Sequence, residues 1–472
     1  MTAADSSYES IASLSSRIRK GQASPVQVTE QLLERIGKLD ARLHAFILPM
    51  PEHALAAANA AAKALKAGKG GPLTGIPYAA KDLFDVAGTP TTAGTHLLAN
   101  NVKKADSTVV HKLNAAGMVL LGKTHTVQFA YGASGINNDH GTPHNPWHKV
   151  LHVPGGSSSG SAVAVASGLV PFALGTDTGG SVRVPAALCG IVGLKTTVGR
   201  VSRAGVYPLC WTLDSVGPLT RTVEDAAMVF QAMQGEDAED ASTVGVAPLE
   251  TLRSLKKGAK GLRVAFAETT FFDDLDPGLE KAVREAGKVF QSLGAKVTSI
   301  EVPEAAAAWA ERNRGLLIPA EACVWNGEFL DKHLKELDPV IGPRMLTGRT
   351  LSAPDYFLML KHYAELRRKL ETTLREVDVL LTPATMVPAK PVAEVEARYM
   401  DFNWKYHRNA GIGNILDLCA VSLPCGFSSG GLPIGLQIYA KPFREDMALR
   451  AAYAFEQATD WHKRRPDLST FG

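Results

Sequence analysis

The segment from Gly155 to Lys195, GGSSSGSAVAVASGLVPFALGTDTGGSVRVPAALCGIVGLK, constrains this chain more than any other. Two Gly/Ser clusters flank an apolar run, and the second cluster, GTDTGGS, leads directly into VRVPAA. A pair of flexible linkers has no need of that apolar helix or of that continuation. Glycines grouped before a serine let the backbone approach a ligand closely and aim successive N–H groups at one spot. The segment therefore reads as loops and a helix around a serine whose surroundings can hold a developing oxyanion.

The same segment resembles the signature of the amidase signature family, which runs from a GGSSGGS-like loop through GTDxGGSIRxPAA to GLKPT. The resemblance extends over nearly the whole chain, through LSSRIRKGQASPVQVTEQLLERI near the start, GIPYAAKD, and SLPCGFSSGGLPIGLQI near the end. It implies an α/β fold: a single α/β/α domain over residues 1–472, with a large mixed twisted sheet surrounded by helices. It also implies hydrolysis of a linear amide, or of a related carbamate or urea-like bond, through a serine acyl-enzyme. Carried over residue by residue, it makes Ser181 of GTDTGGS the nucleophile and Ser157 of GGSSS the bridging serine, which in the family sits on a cis peptide. Lys81 of GIPYAAKD becomes the general base. The backbone N–H groups of Thr178, Gly179, Gly180 and Ser181 become the oxyanion hole. The loop after Gln128, holding Phe129, Ala130, Tyr131 and Gly132, lines the acyl side of the pocket. Cys210 and Trp211 either face that pocket or belong to the core. No cofactor and no metal are implied, the partner is a small-molecule amide, and a homodimer stays open.

The chemistry gives these residue types an independent reason. A serine hydroxyl is a weak nucleophile until a base takes its proton, and a lysine serves when it is neutral. Free lysine titrates near pH ~10.4, so burial or a neighbouring cation must lower that value for work at neutral pH. Lys81 alone would otherwise read as a surface lysine paired with Asp82 or Asp85. Asp177 and Arg183 flank the nucleophile, and since the relay needs neither, they read as a structural ion pair.

Two motifs compete with this reading. Gly117 to Thr124 satisfies the phosphate-loop pattern G-x-x-x-x-G-K-T. A phosphate loop needs a strand before its first glycine, whereas here a helical pattern (108–116) precedes and the apolar MVLL reads as the strand itself. His140, His144, His148 and His152 recur every four residues, but Gly141, Pro143, Pro146 and Pro154 break any helix that would align them as zinc ligands.

One relative in the family, the glutaminase subunit of a tRNA-dependent amidotransferase, is the alternative function. There, a segment like NLAGLP follows an aspartate seven residues upstream that holds the substrate's ammonium. Here the segment is Asn414 to Cys419 and the upstream position is His407, although a small shift of alignment brings in Asp401. Arg344 stands where that relative carries an arginine for the substrate's carboxylate. The balance favours a chain that hydrolyses a small amide on its own.

Composition excludes other classes. With 50 basic and 47 acidic residues the net charge is +3, and no Lys/Arg-rich run points to nucleic acid or an anionic membrane. Five widely spaced cysteines argue against a disulfide framework. The polar N-terminus lacks a signal peptide's apolar stretch, and the most apolar segment, 162–175, is too short and broken to span a bilayer. The expected location is the cytoplasm. Along the chain, residues 1–70 read as N-terminal helices, the first opening at Ser24-Pro25. Residues 71–220 form the signature core, 235–260 a charged surface connection, and 261–472 a second α/β half that opens with a β-α-β unit.

Overall fold

The computed structural model describes residues 6–313 and 316–471. The single unit expected over 1–472 includes residues 1–5, 314–315 and 472, which lie outside these. Apolar runs bounded by glycine and proline become strands: β1 (Phe46–Pro49), β2 (Pro77–Lys81), β3 (Val119–Thr124), β4 (Phe172–Asp177), β5 (Val192–Lys195), β6 (Ser215–Thr220), β7 (Arg263–Ala267), β8 (Lys296–Ile300), β9 (Val379–Pro383), β10 (Cys419–Phe427) and β11 (Pro433–Ala440). They pair into one sheet in the order β1-β3-β2-β4-β6-β5-β10-β11-β9-β7-β8. Pairs β2–β3, β2–β4, β7–β8 and β7–β9 are parallel and the others antiparallel, so the sheet is mixed. The sheet is surrounded by helices, as the resemblance implies. No described helix is long and apolar enough to cross a membrane.

The N-terminal region holds three helices: α1 (Ile11–Arg19), α2 (Pro25–Leu43) and α3 (Pro51–Lys66). In α2, Val28, Leu32, Ile36 and Leu39 are all buried, which is the stripe their spacing predicts. Helix α1 is not evident from the polar composition of its stretch. Only Ile11, Leu14 and Ile18 carry its apolar buried face, and the Ser10 side chain caps it by accepting from the Ser13 N–H. Helix α4 (Thr108–Ala115) precedes β3, so the phosphate-loop pattern falls on a turn and a strand. Its Lys123 is fully buried and paired at 2.5 Å with Asp82, which settles that motif as structural.

Most of the connection at 235–260 is exposed or partly exposed, but it is anchored at a few buried positions. It contains the short helix Thr251–Leu255, with Leu255 in the main core, and Asp240 is buried against Arg203 at 3.1 Å. Its charged composition hid the few apolar and paired positions that anchor it. The β-α-β unit after it forms as expected, with β7 and β8 parallel on either side of the helix Pro277–Ser292.

The signature segment builds α5 (Ser159–Ala166), β4, α6 (Arg183–Cys189) and β5. Every residue of α5 is buried, which is why that helix is apolar all round. Strands β2 and β4 are parallel neighbours, with Ala80 opposite Leu174, so Lys81 and Thr176 meet at their carboxyl ends. That end of a parallel pair is where α/β sheets place their ligands.

Candidate active site

Lys81 closes β2 and has no exposed surface. Its Nζ donates to Ser157 Oγ and to Thr176 Oγ1, each at 2.8 Å. Burial pushes its pKa down from 10.5 to about 7, against the opposing pull of Asp214 and Asp177. Asp82 and Asp85, the carboxylates that would have made Lys81 an ordinary ion-paired lysine, pair instead with Lys123 and Lys103. Those two lysines neutralise the nearby acids, and Lys81 is left to hydroxyls.

Ser157 follows a cis peptide after Gly156 and is fully buried. The Ser158 N–H donates to the Ser181 carbonyl at 3.2 Å, which holds the two serine loops side by side. The Lys81–Ser157 leg of the relay is therefore formed, while no hydrogen bond closes the Ser157–Ser181 leg among the described residues. Catalytic hydrogen bonds commonly tighten only once substrate is bound.

Thr178, Gly179 and Ser181 line one pocket together with Ala130, Tyr131 and Gly132, so the expected oxyanion and acyl-side loops do converge. Gly180 departs from its expected role. Its N–H donates to Asp177 Oδ1 at 2.9 Å, leaving Thr178, Gly179 and Ser181 to face the pocket. Glycine is required there, since φ is +118° and a Cβ would come 2.5 Å from that of Ala410.

The Asp177–Arg183 pair is structural, as the sequence suggests. Arg183 contacts both Asp177 oxygens at 3.0 and 2.9 Å and also reaches Gln437, Tyr439 and Asn414. Burial alone would raise the Asp177 pKa, but the Arg183 charge and hydrogen bonds outweigh it and hold the carboxyl well below its usual range. Asp177 in turn accepts from the N–H groups of Gly180 and Val182, so the pair fixes the turn that carries Ser181.

Sequence reasoning missed Thr176 and Asp214. The Asp214 carboxylate accepts from the Thr178 hydroxyl at 2.5 Å and from the Leu209 and Cys210 N–H groups at 2.9 and 3.0 Å. It ties the Thr178–Ser181 loop to the 209–211 turn, and burial raises its pKa to about 6. Nothing local in TLDS marks that role, because its partners come from two separate segments. Cys210 is core, whereas Trp211 is 42% exposed and stacks on Arg203.

Arg344, His407 and Asn403 complete the pocket beside Ser181. The Arg344 guanidinium lies 4.0 Å from the centre of the Tyr131 ring and donates to the Tyr131 carbonyl at 3.1 Å. The Asn403 side chain accepts from the Ala133 N–H at 2.9 Å, and His407 Nδ1 donates to the Asn403 carbonyl. Asp401 lies apart from the pocket, paired with Arg398 and Lys405. Among the described residues no carboxylate lines this pocket, and Glu311 lines an adjoining one that Arg344 and His407 also border. His144, His148 and His152 bond to loop carbonyls, with the His148 and His152 rings 3.9 Å apart, and among the described residues they form no ligand group with His140.

The amidase family profile matches residues 27–449. A glutamyl-tRNA(Gln) amidotransferase subunit of Geobacter metallireducens is 37% identical over 482 residues, covering 96% of this chain and 98% of that protein. Among solved structures, the peptide amidase of Stenotrophomonas maltophilia superposes with a TM-score of 0.87 at 31% identity, covering 98% and 99% of the two chains. A chain from a vestigial complex described as revealing the origins of an s-triazine catabolic enzyme gives 0.89 at 31%, covering 95% and 98%.

Proposed function

The chain belongs to the amidase family and is a hydrolase of amide C–N bonds, and on that premise we propose that it cleaves a small linear amide, carbamate or urea-like compound whose acyl part carries a carboxylate. The observation that carries this reading is Arg344 sharing one pocket with Ser181. A guanidinium is the side chain best matched to a carboxylate, and here it would hold the acyl group with its carbonyl toward the nucleophile.

Neutral Lys81 accepts the Ser157 proton as Ser157 accepts that of Ser181, and Ser181 Oγ attacks the carbonyl carbon. The N–H groups of Thr178, Gly179 and Ser181 receive the oxyanion, where loss of a single donor typically costs ~100-fold or more in rate. The proton returns along the relay to the departing amine, leaving the acyl-enzyme. Water then attacks by the same route and releases the acid.

A second reading has the curated relatives behind it. Their shared name, that of an amidotransferase component, favours glutamine as the amide, ammonia as the product and partner proteins as the setting, over a chain that works alone. The pocket supports the first reading. Glutamine brings an ammonium beside its carboxylate, His407 occupies the position expected for its aspartate partner, and Asp401 is engaged elsewhere. A buried ammonium without a carboxylate loses several kcal/mol of binding. Assaying the purified chain with glutamine and with carboxylated amides lacking an amino group separates the two. Preference for the latter supports the first reading, and efficient ammonia release from glutamine, especially with the other amidotransferase components present, supports the second.

A further inference from the structure

A cluster of imidazoles lies apart from the relay. The rings of His44 and His125, His125 and His140, and His140 and His96 are 4.8, 5.9 and 3.8 Å apart between centroids. Asp139 adds a carboxylate, with one oxygen facing His96 Nδ1 and the other accepting from the Thr95 hydroxyl and the His96 N–H at 2.7 and 3.0 Å. One ligand atom each from His96, Asp139 and His140 lies within 4.8 Å of the others. His140 Nε2 is buried and has no hydrogen-bond partner.

We propose that His96, Asp139 and His140 bind a divalent transition ion of the zinc class, at a site separate from the amide chemistry. Two imidazole nitrogens and one carboxylate oxygen suit zinc, cobalt or nickel, whereas calcium and magnesium take oxygen ligands. Bonds of about 2.1 Å in a tetrahedral shell set ligand atoms roughly 3.4 Å apart, which the His96 ring reaches by turning off its stack on His140. The His96 side chain is 63% exposed, which leaves the fourth position open to water. The backbone beneath the other two ligands is pinned. Asn137 Oδ1 accepts from the Asp139 and His140 N–H groups, each at 2.8 Å, and its amide donates to the Gly94 and Thr126 carbonyls at 2.9 and 2.8 Å. The scaffold thus fixes the backbone that carries a carboxylate and a half-buried imidazole before any ion arrives, and the ion supplies the partner that the buried His140 Nε2 lacks.

The test titrates the metal-stripped full chain with Zn²⁺ by calorimetry and with Co²⁺ by visible absorption. Expected are one saturable ion per chain, ligand-field bands for cobalt and a higher melting temperature with zinc. His96→Gln and Asp139→Asn should each weaken binding at least ~10-fold, while His148→Gln leaves it unchanged. The exposed position of His96 keeps that variant folded. Absence of saturable binding overturns the proposal, as does binding that survives His96→Gln or that falls equally with His148→Gln.

Discussion

Replacing Lys81 by Met keeps an unbranched stem of similar length but removes the base, so turnover should vanish while the fold, at pH 6, becomes more stable. The reason lies in the titration of a lysine with no exposed surface, whose pKa falls from 10.5 to about 7. Between those two values the folded chain binds fewer protons than the unfolded chain, so stability rises with pH across that window, and below pH 7 the full penalty applies. The penalty is about 5 kcal/mol at pH 6 and about 2 kcal/mol at pH 9. Met also forfeits the hydrogen bonds to Ser157 and Thr176, at about 1 kcal/mol each. The variant should therefore be about 3 kcal/mol more stable than the parent at pH 6 and nearly equal to it at pH 9. Urea unfolding of both proteins at the two pH values measures this. A constant gap between them would show that Lys81 titrates alike in both states and would refute the reasoning. In the parent, kcat/KM should rise about tenfold from pH 6 to 8 and then flatten as Lys81 loses its proton.

Arg344→Gln should cost about 2 kcal/mol, roughly 30-fold in kcat/KM, for carboxylated amides and little for neutral analogues; equal losses for both would remove Arg344 from substrate recognition. Asp214→Asn should lower kcat by slackening the Thr178 loop. It should also move the pH–rate midpoint to lower pH, because the Asp214 charge raises the Lys81 pKa, and an unmoved midpoint would leave Asp214 a purely structural part. Gly180→Ala should lower both melting temperature and activity, since its Cβ meets Ala410 and Val184; a variant as stable as the parent would contradict that packing. EDTA should leave amide hydrolysis untouched, and a loss restored by zinc would place a metal in the reaction.

The strongest local patterns carried most of the fold. The α2 stripe, the MVLL strand and the β-α-β unit from Leu262 each follow from short-range periodicity and appear where it places them. Helix α1 and the anchored stretch 251–255 escaped because a few apolar residues among polar ones give too weak a period, and their burial comes from distant helices. At the site, Lys81, Ser157 and Ser181 were legible through motif order, since the chemistry requires those residue types. The engagement of the Gly180 N–H with Asp177 and the grip of Asp214 on Thr178 were not, because a hydrogen bond closed by the fold leaves no spacing in the sequence. The histidine spacing, set aside because glycine and prolines break it, gave no hint of the true neighbours either. The fold sets His140 against His96, which lies in an earlier turn that no sequence spacing links to it.

The proposed mechanism stands or falls on Ser181 carrying the acyl group. Rapid acid quench of the protein during turnover of an activated carboxylated ester or amide, followed by peptide mass spectrometry, tests it most directly. An acyl adduct is expected on the peptide containing Ser181, absent in Ser181→Ala, which folds normally but does not turn over. An adduct on another residue, or undiminished hydrolysis by Ser181→Ala free of contaminating enzyme, would contradict it.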